Sequence, residues 1–186
     1  MQISVVVPCY NESQVIAKTV KKIKSFLQEN YSDFEIIIID DKSTDNTLEI
    51  IKKIKNIKVL RNLKNHGKGY SVKKGVRAAK GDWILFMDAD SSTDISELNK
   101  LSKYQDKYKL IIGSRALADS EIKIKQSLFK ILLGKLGNLL VRIILITNIR
   151  DTQCGFKLFH KDLQKLFNKL TIKLISSDFK SGRLGI

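Results

Sequence analysis

The sequence predicts an α/β fold with a mainly parallel central sheet and helices on both of its faces. Three observations support this fold class. Short runs rich in β-branched residues alternate with segments of helical periodicity, the runs at 3–8 and 34–40 are typical of strands covered on both faces, and polar residues follow the runs directly. Ligands of such sheets bind beyond the carboxyl ends of the strands, so those polar residues predict where a functional site lies.

Apolar runs predict strands, and segments of helical spacing predict the helices between them. Asn11 is placed to cap the first helix, whose apolar residues recur at helical spacing from Val15 to Leu27. Ser43 or Asp45 starts the second helix, and the third and fourth are expected over about 68–79 and 95–104. The predicted strands, in chain order, are ISVVVP (3–8), FEIIIID (34–40), IKVL (57–60), DWILFMD (82–88) and KLIIG (109–113).

The composition fits one globular domain of 186 residues with an excess of positive charge. Lysine and arginine outnumber the acids 34 to 19, which gives a formal net charge of +15. This balance indicates an anionic partner (nucleic acid, a phosphorylated substrate or a membrane surface), unless it reflects only a lysine-rich solvated surface. Nucleic acid is the weakest of these, since aromatic residues are only 8% and no basic recognition helix is visible.

The cysteines indicate the redox compartment of the chain, and the hydropathy pattern indicates its relation to membranes. Two cysteines, Cys9 and Cys154, make no disulfide framework and favour a reducing compartment. No secretory signal is recognisable, and no uncharged apolar stretch is long enough to predict a spanning helix. A long helix with a wide apolar face is expected over about 127–149, either as a core helix or as an amphipathic helix on a membrane.

Two carboxylates separated by one residue, Asp88 and Asp90, end the fourth predicted strand. At a strand end, positions i and i+2 point to the same side, and two carboxylates there suit a hard cation such as Mg²⁺ or Mn²⁺. Such a cation takes further ligands from phosphate oxygens, which explains an acidic pocket in a basic protein. The pattern alone is weak because such acids often cap helices, and Asp94 is interpreted as a cap of that kind.

The common glycine-rich nucleotide motifs do not occur in the sequence. After the first strand the chain reads PCYNES rather than G-x-G-x-x-G, which argues against a dinucleotide-binding domain. NHGKGYSV (65–72) is glycine-rich but lacks the spacing of a P-loop. It either brings Lys68 and backbone N–H groups near a phosphate or forms an ordinary turn.

Five segments, taken in order, resemble the family-2 glycosyltransferases, and among these the polyprenyl-phosphate sugar transferases. DTQCGFKLF is most similar to the dolichyl-phosphate β-glucosyltransferases, with the dolichol-phosphate mannose synthases next. The resemblance implies a Rossmann-like nucleotide-diphospho-sugar transferase (GT-A) fold and a catalytic domain over residues 1–170. The segments are VVVPCYNE (5–12), IIIIDDKSTDNT (36–47), NHGKGYSVKKGVRAAKGDWILFMDAD (65–90), GSR (113–115) and RDTQCGFKLF (150–159).

The resemblance also implies roles for individual residues. Asp90 is the expected direct ligand of Mg²⁺ or Mn²⁺, with Asp88 as its partner nearer the ribose and sugar, and these two acids and Arg115 form the catalytic set. Arg115 and Lys125 would meet the diphosphate or the lipid phosphate, and Asp151 and Gln153 the sugar or acceptor phosphate. The expected nucleotide-sugar site contains Pro8, Tyr10, Glu12, Asp41, Lys68 and Asp88.

The implied reaction is inverting transfer of a hexose, glucose from UDP-glucose, to a polyprenyl or dolichyl phosphate. The expected location is the cytoplasmic face of an anionic membrane. One alternative is a GDP-mannose-dependent or other family-2 transferase. Residues 171–186 depart from the family pattern, since Asp178-Phe179 only echoes Phe-Asp-x-Glu. A nucleotide-sugar-binding remnant without turnover is therefore a further alternative.

Overall fold

The computed structural model of this chain describes residues 2–113 and 154–169. The helix expected over 127–149, the tail over 171–186 and the residues Arg115, Lys125, Asp151 and Gln153 lie outside the described residues. The described elements are β1 (Ile3–Cys9), α1 (Ile16–Asn30), β2 (Phe34–Asp40), α2 (Thr47–Lys52), β3 (Lys58–Arg61), α3 (Lys68–Ala78), β4 (Trp83–Met87), a 3₁₀ turn (Ile95–Glu97), α4 (Leu98–Ser102), β5 (Leu110–Ile112), β6 (Phe156–His160), a second 3₁₀ turn (Lys161–Leu163) and α5 (Gln164–Lys169).

The strands form one sheet in the order β3-β2-β1-β4-β6-β5. β1 pairs in parallel with both β2 and β4, and β2 pairs in parallel with β3. β6 pairs antiparallel with β4, from Trp83 opposite His160 to Met87 opposite Phe156. The predicted mainly parallel α/β sheet is confirmed, and β6 is a strand that the sequence analysis did not predict.

The two faces of the sheet carry different helices. The order of strands reverses between β3 and β4, and because such crossovers are right-handed, α3 covers the face opposite to that of α1 and α2. α3 approaches its face closely through Gly75, where a Cβ atom would lie 2.5 Å from Cδ1 of Ile39. The buried cluster on this face consists of Val6, Ile37, Ile39, Val76, Ala79, Ile84, Phe86 and Phe159.

The reversal of strand order places a crevice at the carboxyl ends of β1 and β4, where a sheet of this topology binds ligands. By its contacts the chain divides into two units, one of residues 1–111 with 156–186 and the other of residues 112–155. All the described side chains of the candidate site belong to the first unit. None of the helices within residues 2–113 and 154–169 is long and apolar enough to cross a membrane.

Candidate functional site

Polar side chains from three neighbouring strand ends gather at the carboxyl edge of the sheet. β1 delivers the segment after Cys9, β2 the segment after Asp40, and β4 the segment after Met87. Pro8 is buried within β1, whereas the Tyr10 side chain is 39% exposed directly beyond it. An exposed aromatic ring at this edge is available to stack on a planar ligand.

The loops after β1 and β2 interlock through hydrogen bonds, and we call residues 11–13 and 43–47 the loop clasp. The Asn11 side-chain oxygen accepts bonds from the backbone N–H of Thr44 at 2.8 Å and of Asp45 at 3.4 Å. In return, Ser43 Oγ accepts from the backbone N–H of Asn11 at 3.0 Å, and Thr47 Oγ1 accepts from that of Glu12 at 2.8 Å. These bonds join segments more than thirty positions apart in the chain.

The clasp corrects two expectations about helix starts. Asn11 does not cap α1, because its side chain is taken up by the neighbouring loop and its backbone has a positive φ of 55°. α1 starts instead at Ile16, where Val15 at the N-cap position makes no side-chain cap bond. Likewise α2 starts at Thr47 rather than at Ser43 or Asp45, since both of those side chains bind the loop after β1.

Asp45 is one of the two acidic residues of the clasp, and Glu12 is the other. Its Oδ1 accepts from the backbone N–H of Thr47 at 2.9 Å and also from the Thr47 hydroxyl, and its Oδ2 accepts from the backbone N–H of Ser13 at 3.2 Å. Burial tends to raise the pKa of Asp45, but the hydrogen bonds from Thr47 and Ser13 outweigh it and lower the pKa to about 2. The clasp therefore holds a carboxylate that stays ionised well into the acid range.

The thiol of Cys9 is buried at this edge, beside the carboxylate of Asp40. Burial, reinforced by neighbouring carboxylates of which Asp40 is the strongest, raises the pKa of the Cys9 thiol far above its usual range. The thiol donates to the carbonyl oxygen of Ile39 at 3.5 Å. Cys9 is thus a small buried residue at a strand end, where burial disfavours the thiolate that nucleophilic chemistry needs.

Asp41 shapes the glycine-rich segment before α3. Its side chain is 3% exposed, and its Oδ1 accepts from Asn62 Nδ2 at 2.7 Å and from the backbone N–H of His66 at 3.0 Å. Its Oδ2 accepts from the backbone N–H of Gly67 at 2.7 Å, at a position where φ is +87° and glycine is favoured. Asp41 therefore anchors residues 62–67 whatever else it binds.

Asn62 extends this network into α3. Its amide nitrogen also donates to Ser71 Oγ at 2.9 Å, and its amide oxygen accepts from Lys74 Nζ at 3.0 Å. Asn62 is buried, so its polar groups need these partners. Asp40, the residue before Asp41, is fully buried and pairs through Oδ2 with Arg61 Nε at 3.2 Å. Asp40 also accepts at Oδ1 from the backbone N–H of Ser43 at 3.1 Å, so it serves the clasp and β3 rather than the exposed edge.

Lys68, the first residue of α3, follows the loop after β3 and contacts the segment after β4. Its Nζ lies 2.5 Å from Oδ1 of Asp88 and 5.4 Å from the centre of the Phe86 ring. Lys157 of β6 places its Nζ 5.8 Å from the centre of the same ring. Two ammonium groups therefore lie near the Phe86 ring. One of them pairs with Asp88, so two residues assigned to one site from sequence are in direct contact.

The turn after β4 carries the second acid of the D-x-D pair. β4 ends at Met87, so the alternation of a strand does not orient Asp88 and Asp90, and the argument that they share a side for that reason is wrong. Asp90 is exposed, and its Oδ1 accepts from the backbone N–H of Ser92 at 2.9 Å. Asp94 accepts from the backbone N–H of Ser96 at the next 3₁₀ turn, which confirms its role as a cap.

The two carboxylates of the D-x-D pair suit one hard cation that takes few of its ligands from the protein. Asp88 and Asp90 offer carboxylate oxygens, the ligands that Mg²⁺ and Mn²⁺ prefer, and Asp90 is exposed with one oxygen outside its bond to Ser92. In the described part of the chain no three His, Cys, Asp or Glu side chains cluster closely enough to hold a metal by themselves. A cation here would need phosphate or water oxygens to complete its ligands, and Asp88 would have to share its charge with Lys68.

Three polar residues that position the site were not found from sequence: Thr19, Asn62 and Ser71. Each is buried and is hydrogen-bonded to a loop at the carboxyl edge. Thr19 could have been found from the sequence, because it is a hydroxyl residue on the apolar stripe of α1 together with Ile16 and Val20. Asn62 and Ser71 could not have been found in this way, because a polar residue after a strand or in a helix is usually solvated.

Comparison with known families gives a match over most of the chain. The model of the family described as glycosyl transferase family 2 matches residues 4–167. A dolichyl-phosphate beta-glucosyltransferase of Saccharomyces cerevisiae is 37% identical over 182 residues, covering 86% of this chain and 54% of that protein. The human protein of the same name is 31% identical over 191 residues, covering 92% of this chain and 59% of that protein. The chain thus spans a little over half the length of these relatives.

Solved structures share the fold at lower identity. Mannosyl-3-phosphoglycerate synthase from Rubrobacter xylanophilus superposes with a TM-score of 0.67 at 14% identity, covering 88% of this chain and 55% of that chain. Glucosyl-3-phosphoglycerate synthase from Mycobacterium tuberculosis, solved with Mn²⁺, UDP and phosphoglyceric acid, gives 0.65 at 18% identity, covering 87% and 56%. These neighbours are nucleotide-sugar transferases of the GT-A fold, so the predicted fold is confirmed.

Proposed function

The chain belongs to glycosyl transferase family 2, and from this we propose that it transfers glucose from UDP-glucose to a dolichyl or other polyprenyl phosphate. The observation that carries the proposal is its 31–37% identity to curated dolichyl-phosphate beta-glucosyltransferases. Tyr10, Asp41, Lys68 and Asp88 lie along one edge of the sheet, and this arrangement supports the proposal. A nucleoside diphosphate needs an aromatic ring to stack on its base, an acceptor for an N–H of the base and a positive charge for its phosphates.

The donor would lie across the strand ends. Tyr10 offers its ring to the base, and Glu12 and Pro8 stand beside it on β1 and the loop that follows. Asp41 keeps its bonds to residues 62–67 and still has acceptor capacity on Oδ2, which receives one bond from Gly67 and has two lone pairs. A base N–H can use the remaining lone pair. In this proposal Asp41 both builds the pocket and contacts the base.

Charge at the diphosphate would be handled by Lys68, Asp88 and Asp90. Asp90, with Asp88 as partner, would hold Mg²⁺ or Mn²⁺, which supplies positive charge to the departing nucleoside diphosphate. Lys68 starts α3, whose first backbone N–H groups also favour an anion. In the transfer step a phosphate oxygen of the lipid forms a bond to the anomeric carbon from the face opposite UDP. The bond from that carbon to the diphosphate breaks, its electron pair leaves with UDP, and the configuration inverts.

The acceptor needs little activation by a general base. The second pKa of a phosphate monoester lies near ~6, so the lipid phosphate is largely ionised at neutral pH. The enzyme would then act mainly by positioning and charge stabilisation. We assign Arg115, Lys125, Asp151 and Gln153 to the acceptor side, within a catalytic domain over residues 1–170 that works at the cytoplasmic face of a membrane. The amphipathic helix expected over about 127–149 would help to hold it there.

The test is a transfer assay on the full chain. Mn²⁺ or Mg²⁺, a polyprenyl phosphate and radiolabelled UDP-glucose or GDP-mannose are incubated with the protein, and labelled lipid is extracted and counted. We expect labelled lipid with UDP-glucose only. Asp90→Asn should lower transfer by at least about tenfold, as loss of a metal ligand does, while Asp94→Asn, which changes the same charge at the neighbouring cap, should retain it.

Two outcomes would overturn the proposal in different ways. Transfer from GDP-mannose in place of UDP-glucose would make the chain a mannosyltransferase. Metal-dependent UDP binding without any labelled lipid would indicate a nucleotide-sugar-binding protein without turnover.

A further inference from the structure

Thr19 is a buried hydroxyl on the apolar stripe of α1. Its side chain is 2% exposed, among the buried residues Ile16, Val20 and Ile23 of the same helix. A hydroxyl in such a place costs free energy unless it is hydrogen-bonded. Threonine side chains inside helices often bond to a carbonyl of their own helix, but the Thr19 hydroxyl donates to a different element.

The partners of Thr19 lie in the turn that carries the D-x-D acids. Thr19 Oγ1 donates to the backbone carbonyl oxygen of Ala89 at 2.7 Å, and Ala89 is the residue between Asp88 and Asp90. The same oxygen lies 2.9 Å from Ser91 Oγ, which must donate because the one hydrogen of Thr19 is already used. One hydroxyl group therefore holds both the middle and the end of the turn.

The turn needs such an anchor because the sheet does not hold it. The ladder of β4 with β1 ends at Phe86, and the ladder with β6 ends at Met87. Beyond that point Ser91 has a positive φ of 53°, which costs free energy in a residue other than glycine. The Lys68–Asp88 pair holds a side chain of the turn, whereas Thr19 holds its backbone.

We propose that Thr19 is a positioning residue for the D-x-D turn, which acts on metal and diphosphate binding through the Ala89 carbonyl group. The inference rests on the proposed function, because it assigns Asp88 and Asp90 to the metal and diphosphate. Outer hydrogen bonds that orient metal ligands change metal affinity by about 10- to 100-fold when they are removed. A valine at this position keeps the shape of threonine and removes both bonds.

The experiment compares five forms of the full chain: wild type, Thr19→Val, Thr19→Ser, Ser4→Ala and Ser91→Ala. Ser4 is the matched control, a fully buried hydroxyl that bonds Glu35 and the backbone N–H of Gly81 at the other end of the sheet. UDP affinity is measured by calorimetry with and without Mn²⁺, and Tm is recorded for each protein. Amide hydrogen exchange of residues 88–92 is measured without any ligand.

We expect Thr19→Val to lose about tenfold or more of the Mn²⁺-dependent gain in UDP affinity and to exchange faster at residues 88–92. Thr19→Ser keeps the hydroxyl and should restore both. Ser4→Ala should lower Tm and leave both readouts as in the wild type. Ser91→Ala, which removes only the second bond from a less buried position, should give a smaller loss of the same kind and serves if Thr19→Val does not fold.

The inference is overturned if Thr19→Val lowers Tm as Ser4→Ala does but keeps the metal-dependent affinity and the exchange rates of the wild type. It is also overturned if Thr19→Ser fails to restore them. A wild-type protein that binds no UDP refutes the proposed function instead, and the exchange at residues 88–92 then still decides whether Thr19 holds the turn.

Discussion

Lys68 places a positive charge directly beside the acidic D-x-D pair. Its ammonium group lies 2.5 Å from Asp88, and the exposed fractions of the two side chains are 40% and 23%. An ion pair exposed to this degree contributes little to folding stability. Its main effect is on the electrostatics of the site. Before any ligand binds, the Asp88 carboxylate is already partly neutralised. A diphosphate therefore approaches a site with less repulsion than two adjacent acids would produce.

Replacing Lys68 with methionine tests this view. We expect Lys68→Met to weaken metal-free UDP binding about three- to tenfold, since it exposes Asp88 to the diphosphate and removes one charge-assisted contact. With saturating Mn²⁺ the difference should narrow, because the metal then supplies the missing positive charge. Calorimetric titrations with and without Mn²⁺ measure both values.

The matched control is Lys64→Met, which removes the same charge from an exposed position in the neighbouring loop. It should change UDP affinity much less than Lys68→Met. A Lys68→Met protein that binds UDP as the wild type does, with and without metal, would show that Lys68 does not take part in donor binding.

At the scale of elements, the loops beyond the strands are held by hydrogen bonds to one another and to the neighbouring helices. The loop clasp joins the end of β1 to the end of β2, and the Asp41–Asn62 network joins the end of β2 to β3 and α3. Both sets of bonds satisfy backbone N–H groups at this edge, where the ladders of the sheet have ended. The edge is therefore preorganised before a ligand arrives, which lowers the cost of binding.

The clasp should give stability a specific dependence on pH. The pKa of Asp45 is lowered to about 2 in the fold, against an ordinary value of 3.8. Between these values the unfolded chain binds more protons than the folded one, so the free energy of unfolding rises with pH. The contribution of Asp45 is fully present above pH 4 and is lost as pH falls toward 2. Because the side chain is partly exposed, we expect about 1 kcal/mol rather than the full linkage value.

Urea unfolding between pH 2 and 5 measures this contribution. Asp45→Asn should lower the free energy of unfolding at pH 5 by about 1 kcal/mol and remove that part of the slope below pH 4. Thr47→Val keeps the carboxylate but removes one of its hydrogen-bond donors, so it should reduce the slope without abolishing it. An unchanged slope in Asp45→Asn would mean that other carboxylates produce the acid sensitivity.

On the scale of the whole molecule, the formal net charge of +15 is the dominant property outside the site. Much of it is carried by exposed lysines of the first unit, among them Lys18 and Lys21 on α1 and Lys53 after α2. A charge of this size attracts anionic ligands and surfaces over the Debye length. It serves both partners of the proposed reaction, since a nucleoside diphosphate and a lipid phosphate are both anions.

We therefore expect the chain to bind anionic vesicles in a salt-dependent manner. It should sediment with vesicles of phosphatidylserine and phosphatidylcholine at about 0.1 M NaCl and be released at about 0.5 M, where screening shortens the range of the attraction. Vesicles of phosphatidylcholine alone are the control and should not retain it. Equal binding to both kinds of vesicle at high salt would contradict an electrostatic attachment and indicate apolar insertion.

The sequence by itself determined the α/β class, five of the strands and the edge at which polar residues meet. These features follow from local periodicity and from the rule that parallel strands end on one side, so no long-range contact is needed to read them. The family also followed from motifs in the sequence, because each motif is a short segment. β6 was missed, since its strand character comes from pairing with β4.

Only the tertiary structure decided which polar groups are bonded to the loops and which stay exposed at the edge of the sheet. Asn11 reads as a helix cap in sequence, yet its side chain bonds a loop more than thirty residues away. Asp88 meets Lys68, and Thr19 meets Ala89 across 70 positions of the chain. The physical reason is that a hydrogen-bonding side chain has many possible partners, and the one it takes depends on which strands and helices the fold brings beside it.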